Sequence, residues 1–83
     1  MIVLTKHAAD KLKTKDAKRF KITQARIRMI LRKPSSGTML SKGVIRAVGE
    51  LDKKHSLCIV YKFEFDIIKV ITFFPAEKGR YED

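Results

Sequence analysis

The stretch LCIVYKFEFDIIKVITFFP, residues 57–75, decides how this chain is read. Its first half alternates. Leu57, Ile59, Tyr61 and Phe63 fall on one side of an extended chain, and Cys58, Val60, Lys62 and Glu64 on the other, as period two requires of a strand. Asp66 marks a turn. Its second half, IIKVITFF (67–74), is apolar on both sides, which is the pattern of a covered central strand. Pro75 is expected to end that strand. Two such runs around a short polar turn predict an antiparallel hairpin.

Working outward, VIRAVGEL (44–51) predicts a third strand, with Gly49 a candidate bulge, and DKKH (52–55) a polar turn. His55 is expected to face solvent there. Upstream the period changes. Ile27, Ile30 and Leu31 recur at helical spacing behind Thr23, a good N-cap, and Ile22 and Ile27 stand where a hydrophobic staple stands. Pro34 stops this helix, and Ser35, Ser36 and Gly37 read as loop. Thr5 opens an earlier helix with Ala8, Ala9 and Leu12 on one face, preceded by MIVL as a short strand. Residues 14–21 (TKDAKRFK) read as the end of that helix and a basic connection anchored by Phe20. The expectation is an α+β fold of one domain over residues 1–83: two N-terminal helices packed on a small, mainly antiparallel sheet.

Of 83 residues, 45% are hydrophobic, enough for one modest core. No apolar run approaches the length that crosses a bilayer, and the first residues do not read as a secretory signal. The one cysteine, Cys58, excludes an internal disulfide, reads as a buried small hydrophobe, and suits a reducing cytoplasm. The formal net charge is +10. Residues 1–33 hold eleven Lys and Arg against two acids, and residues 34–83 eight against seven, so nearly all the excess lies in the first half. Such an excess favours polyanionic partners, nucleic acid first, an acidic protein second and an anionic membrane surface third. A lysine-rich solvated surface is the bland alternative.

His, Cys and acids are too few and scattered for a metal site, no glycine-rich phosphate loop is present, and no cofactor is implied. His, Thr, Tyr, Lys and Arg remain. Those groups suit metal-independent RNA cleavage. There the substrate supplies its own 2′-hydroxyl nucleophile, and the protein supplies a base, an acid and cations for the phosphorane. Arg19, Arg26, Arg28, Arg32, Lys33, Arg46, Lys62 and Lys78 are candidate phosphate ligands.

The segments TKHAADKL, KITQARIRMILRKP and LCIVYKFEFDIIKVITFFPAEKGRYE together resemble a widespread family of short, uncharacterised basic proteins. The order helix, helix, antiparallel sheet in a basic chain resembles the RelE/ParE-like toxins, among the small barnase-, colicin- and RelE-type nucleases. The likeness covers roughly residues 3–82. It implies a RelE-like fold and a ribonuclease acting on RNA, in some cases on the ribosome. It also implies a neutralising antitoxin, here an acidic one. By the same likeness a helix-borne His7, a sheet cation (Lys62 or Arg46) and Thr72 on the last strand meet in one cleft, joined by Arg80 and Tyr81 near the C-terminus. The ParE-like branch inhibits gyrase instead, so the fold alone does not select the activity. A non-catalytic nucleic-acid-binding module and an interaction domain for an acidic protein stay open. So do structural roles for His7 at a strand–helix junction and for Thr72 as an ordinary strand residue.

Overall fold

Three threonines open three helices. In a computed structural model, which describes residues 1–80, Thr5, Thr14 and Thr23 each adopt an extended backbone. Each side-chain oxygen accepts a hydrogen bond from the backbone N–H three residues on: Ala8 at 3.2 Å, Ala17 at 3.3 Å and Arg26 at 3.1 Å. That satisfies one of the orphan donors every helix start carries. The helices are α1 (Lys6–Lys11), α2 (Lys15–Arg19) and α3 (Gln24–Arg32). Around them run five strands: β1 (Ile2–Leu4), β2 (Ser36–Ser41), β3 (Val44–Glu50), β4 (His55–Glu64) and β5 (Ile67–Glu77).

The expected pair of helices on a mainly antiparallel, RelE-like sheet is therefore overturned. Three short helices accompany a five-stranded mixed sheet, and sheet predominates: β4 and β5 hold 10 and 11 residues, the longest helix 9. The segment 14–21, read as a connection, contains its own helix because Thr14 caps it and Ala17 is buried beneath it. The sheet order is β1-β5-β4-β3-β2. β1 runs parallel to β5, with Ile2 opposite Ile68, and the other neighbours are antiparallel.

β4 starts at His55, inside the expected turn, and β3 ends at Glu50. β2 and the end of β5 also differ from expectation, each for a local reason. β2 carries no alternating apolar pattern, because it is an edge strand exposed along nearly all its length. Its strand character comes from backbone pairing with β3. Pro75 does not end β5, which continues to Glu77 with Pro75 opposite Leu57. β1 accompanies β5 only over Ile68–Val70. Beyond that point β5 is a sheet edge, where Phe73 turns its carbonyl outward to Lys11. Pro75, two residues later, turns its nitrogen the same way, so no ladder bond is lost.

The register between β4 and β5 slips once: Val60 faces Thr72, and Tyr61 faces Val70. Ile71 is the extra residue, so this bulge brings Val70 and Phe73, three apart in sequence, onto one face. Gly49 is no bulge; it pairs regularly with Leu57. What it permits is close packing, since a Cβ there would lie 2.5 Å from Ile30 Cγ2. α3 thus lies directly on β3. On this inner face Leu57, Ile59, Val70 and Phe73 form one core with Ala8, Ala17, Ile22, Ile27, Ile30 and Leu51. Tyr61 packs against it, as its place in the alternation required. Cys58 is a buried free thiol, also as read.

Candidate functional site on the outer face of the sheet

The strand register places several of the singled-out residues on one surface. Thr38, Arg46, Val60 and Thr72 stand opposite one another in turn across β2, β3, β4 and β5. The neighbouring row is Val44, Lys62 and Lys69. Both rows point away from the face that α3 covers, since side chains alternate along each strand. At about 4.8 Å per strand, Arg46 and Thr72 are separated by roughly 10 Å. Val48, Cys58 and Ser56 are buried farther along the same face. The accessible portion is therefore the half that carries Arg46, Lys62, Lys69 and Thr72.

α1 completes this portion from the β5 edge. Thr5 ties the helix start to β5: its N–H donates to Val70 O at 3.0 Å and its hydroxyl to Ile71 O at 3.2 Å. His7 and Lys11 are four residues apart, one turn along the same side of the helix. The Lys11 ammonium donates to Thr72 Oγ1 at 3.1 Å and to Phe73 O, and stands 5.4 Å from the Phe73 ring centre. His7 Nε2 lies 3.5 Å from Thr72 Oγ1, at the outer limit of a hydrogen bond. The imidazole is exposed. A histidine, an ammonium and a hydroxyl thus meet beside a row of sheet cations. Such a set can exchange a proton and neutralise an anion.

Of the residues singled out in sequence, His7 and Thr72 lie side by side, and Arg46 and Lys62 share the face of Thr72 by register. Lys62 also forms an ion pair with Glu64 at 3.3 Å. The other candidates lie elsewhere. Arg26 donates to Leu51 O and, at 3.5 Å, to Glu50 O, so it braces α3 against the β3–β4 turn. Lys78 bonds Glu50 Oε2 at 2.6 Å and Asp52 O at 3.4 Å, and braces the same turn from just beyond β5. Arg19 lies 5.3 Å from the Phe20 ring centre, and that ring meets His55 edge-on at 4.9 Å. His55 is only partly exposed, held by Asp52 at 2.9 Å. Arg28 and Arg32 border a shallow depression of about 420 Å³ with Met1 and Ile2, and Lys33 borders another beside Gly49. Those three belong to the α3 surface. Arg80 is exposed in the turn after β5, its N–H donating to Glu77 O at 3.1 Å. Tyr81 lies outside the described residues.

Two residues of the site escaped the sequence reading. Lys11 is signalled by its four-residue spacing from His7. Lys69 is signalled by the hairpin register, which sets it directly opposite Lys62 once the turn is placed at 65–66. The two acids with displaced acidity belong to the brace. Glu50 is held below the usual carboxylate range by the hydrogen bond and charge of Lys78, and Asp52 by the hydrogen bond from the Lys54 backbone N–H. Among the described residues no three His, Cys, Asp or Glu side chains gather as metal ligands would, and no helix is long and apolar enough to cross a membrane. Compared with protein-family models, curated proteins and solved structures, the chain matches none.

Proposed function

We propose that this protein binds RNA on the outer face of its sheet and cleaves it without a metal, in the manner implied by its resemblance to RelE-like toxins. The observation that carries this reading is the convergence of His7, Lys11 and Thr72, joined across more than 60 residues of chain, beside Arg46, Lys62 and Lys69. In the proposed reaction His7 takes the proton of a 2′-hydroxyl. The freed 2′-oxygen attacks the adjacent phosphorus, the bond from phosphorus to the 5′-oxygen breaks, and that oxygen takes a proton from water. Lys11 and the sheet cations offset the charge that builds on the phosphorane. Thr72 holds Lys11 and faces His7, and so positions both. The setting proposed is the cytoplasm, with an acidic partner protein covering the basic face when the activity is restrained.

The test is incubation of a mixed RNA with purified protein in EDTA, beside His7→Gln and Lys11→Met. Wild type should give products ending in 2′,3′-cyclic phosphate, and His7→Gln should lose cleavage while keeping RNA affinity. RNA left intact, both free and in a translating extract, would overturn the enzymatic reading. One observation favours a second reading, a binding module without catalysis. The Lys11 ammonium is already engaged by Phe73 O and Thr72, which is how a sheet edge is closed where β1 stops. In that case RNA binds in a salt-dependent way and His7→Gln changes nothing.

A further inference from the structure

The β4–β5 hairpin ends in a residue that the fold does not need. Phe65 is 89% exposed, the most exposed large apolar side chain among the described residues. It also sits at φ +52°, followed by Asp66 at +63°. A two-residue turn with both centres left-handed favours Asn, Asp or Gly, and a phenylalanine there holds its backbone under strain. Neither burial nor turn geometry accounts for the ring.

Its surroundings supply a reason. Phe65 borders a notch of about 180 Å³ with Glu64, Ile67 and Lys69. Glu64, Ile67, Lys62 and Lys69 share the outer face, by register. Lys62 and Lys69 stand directly opposite each other and are both exposed. Like charges in that position repel, and an anion between them relieves the repulsion. Glu64 answers only Lys62, at 3.3 Å, and among the described residues Lys69 has no ion pair. An aromatic plane, a carboxylate acceptor and the Lys69 cation in one small notch, with Lys62 opposite Lys69 on the neighbouring strand, match the parts of a nucleotide: a π-face, an exocyclic amine and a phosphate.

We infer that this hairpin tip receives an unpaired nucleobase, which stacks on Phe65 while Lys62 and Lys69 hold the adjoining phosphate, so that the substrate is single-stranded RNA. The inference rests on the RNA reading above and narrows it. A base held in a duplex cannot enter the notch. Lys69 is opposite Lys62 and Thr72 opposite Val60, so the bulge leaves them two β4 residues apart, roughly 7 Å at about 3.3 Å per residue. A single strand seated at the tip therefore continues along the same face towards His7 and Lys11.

The test is fluorescence anisotropy with a labelled single-stranded RNA dodecamer and with the same sequence as a duplex. Wild type and Phe65→Gly are compared, with melting curves for both. Glycine suits the left-handed turn, so Phe65→Gly should melt no lower than wild type. It should nevertheless bind the single strand about tenfold more weakly, which is the loss expected for one stacked base. Duplex affinity should be unchanged. Lys69→Ala should weaken single-strand binding and flatten its salt dependence. Equal single-strand affinity of wild type and Phe65→Gly overturns the inference while the RNA reading stands. If wild type binds neither RNA, both fail. If Phe65→Gly instead loses binding to vesicles of anionic lipid, with RNA binding intact, the tip is a membrane contact and the inference falls.

Discussion

The two faces of the sheet are made by the same strands under opposite demands. On the inner face β4 and β5 contribute Leu57, Ile59, Val70 and Phe73, all nearly inaccessible to solvent beneath the helices. On the outer face the same two strands contribute Val60, Lys62, Lys69 and Thr72, none of them fully buried. The inner face is where burial stabilises, at roughly 25 cal/mol per Å² of apolar surface. The accessible half of the outer face places like charges opposite each other and adds little stability. The buried side chains and the exposed cations are separated by one step of the β pleat, and substitutions should reveal that separation.

The largest effect is expected at Phe73. Phe73→Ala removes a ring that is 2% exposed at the centre of the core, and should cost about 3–5 kcal/mol. A chain of this size has a total stability on the order of 4–12 kcal/mol, so the variant should be largely unfolded in mild urea. Val60→Ala, one strand away on the outer face, should cost well under half as much. Equal losses in urea titrations would abolish the distinction between the faces.

Gly49→Ala comes next. The added methyl would meet Ile30 at 2.5 Å, and either α3 or β3 must shift. Overpacking of this kind costs about 1–3 kcal/mol. Combined with Ile30→Ala, which vacates the space, the two changes should destabilise by less than their sum. Strict additivity would mean that α3 does not rest on that glycine.

Lys62→Ala inverts the pattern. It breaks an exposed ion pair with Glu64 and removes the repulsion with Lys69, so the net change in stability should lie within about 0.5 kcal/mol. RNA affinity should fall and its salt slope lessen by about one. A change in melting temperature as large as that of Gly49→Ala would show that Lys62 serves the fold.

This division explains how much the sequence disclosed. The inner face was legible because burial writes a pattern: period two in 57–63, and helical spacing at Ile27, Ile30 and Leu31. Thr23 disclosed its helix for the same kind of reason, a local hydrogen bond. β2 left no pattern because an edge strand buries neither face, and its pairing with β3 is a matter of backbone groups that every residue carries. Pro75 misled because its meaning depends on whether β5 is a central strand or an edge strand there, and that is settled by where β1 stops. His7 and Thr72 were singled out in sequence through the family resemblance, and their meeting depends on the parallel docking of β1 against β5. Lys62 and Arg46 were legible as sheet cations, and the other proposed phosphate ligands chiefly as a charge excess. Charge does not say whether a lysine faces solvent, as Lys69 does, or braces a turn, as Lys78 does.

The brace itself gives the smallest effect and the cleanest sign. Lys78 holds the Glu50 carboxyl below its ordinary value, and the Lys54 backbone N–H does the same for Asp52. A carboxylate whose acidity is strengthened by folding stabilises the folded state above its unfolded pKa. That contribution is lost as pH falls through the lower, folded value. Melting temperature should therefore be level from neutrality to about pH 5 and then decline, chiefly below the ordinary carboxylate values near 4. Both carboxyls are solvent-exposed, so the decline from this source should be slight and should fade in high salt. Lys78→Met should lower the plateau a little and shrink the acid step, because Glu50 then titrates nearly alike in both states. Wild-type and Lys78→Met curves that run parallel from pH 7 to pH 2 would show that the Glu50–Lys78 contact holds no stability. The binding of Lys78 to phosphate would then become an open question again, and the boundary between the brace and the basic face would have to be redrawn.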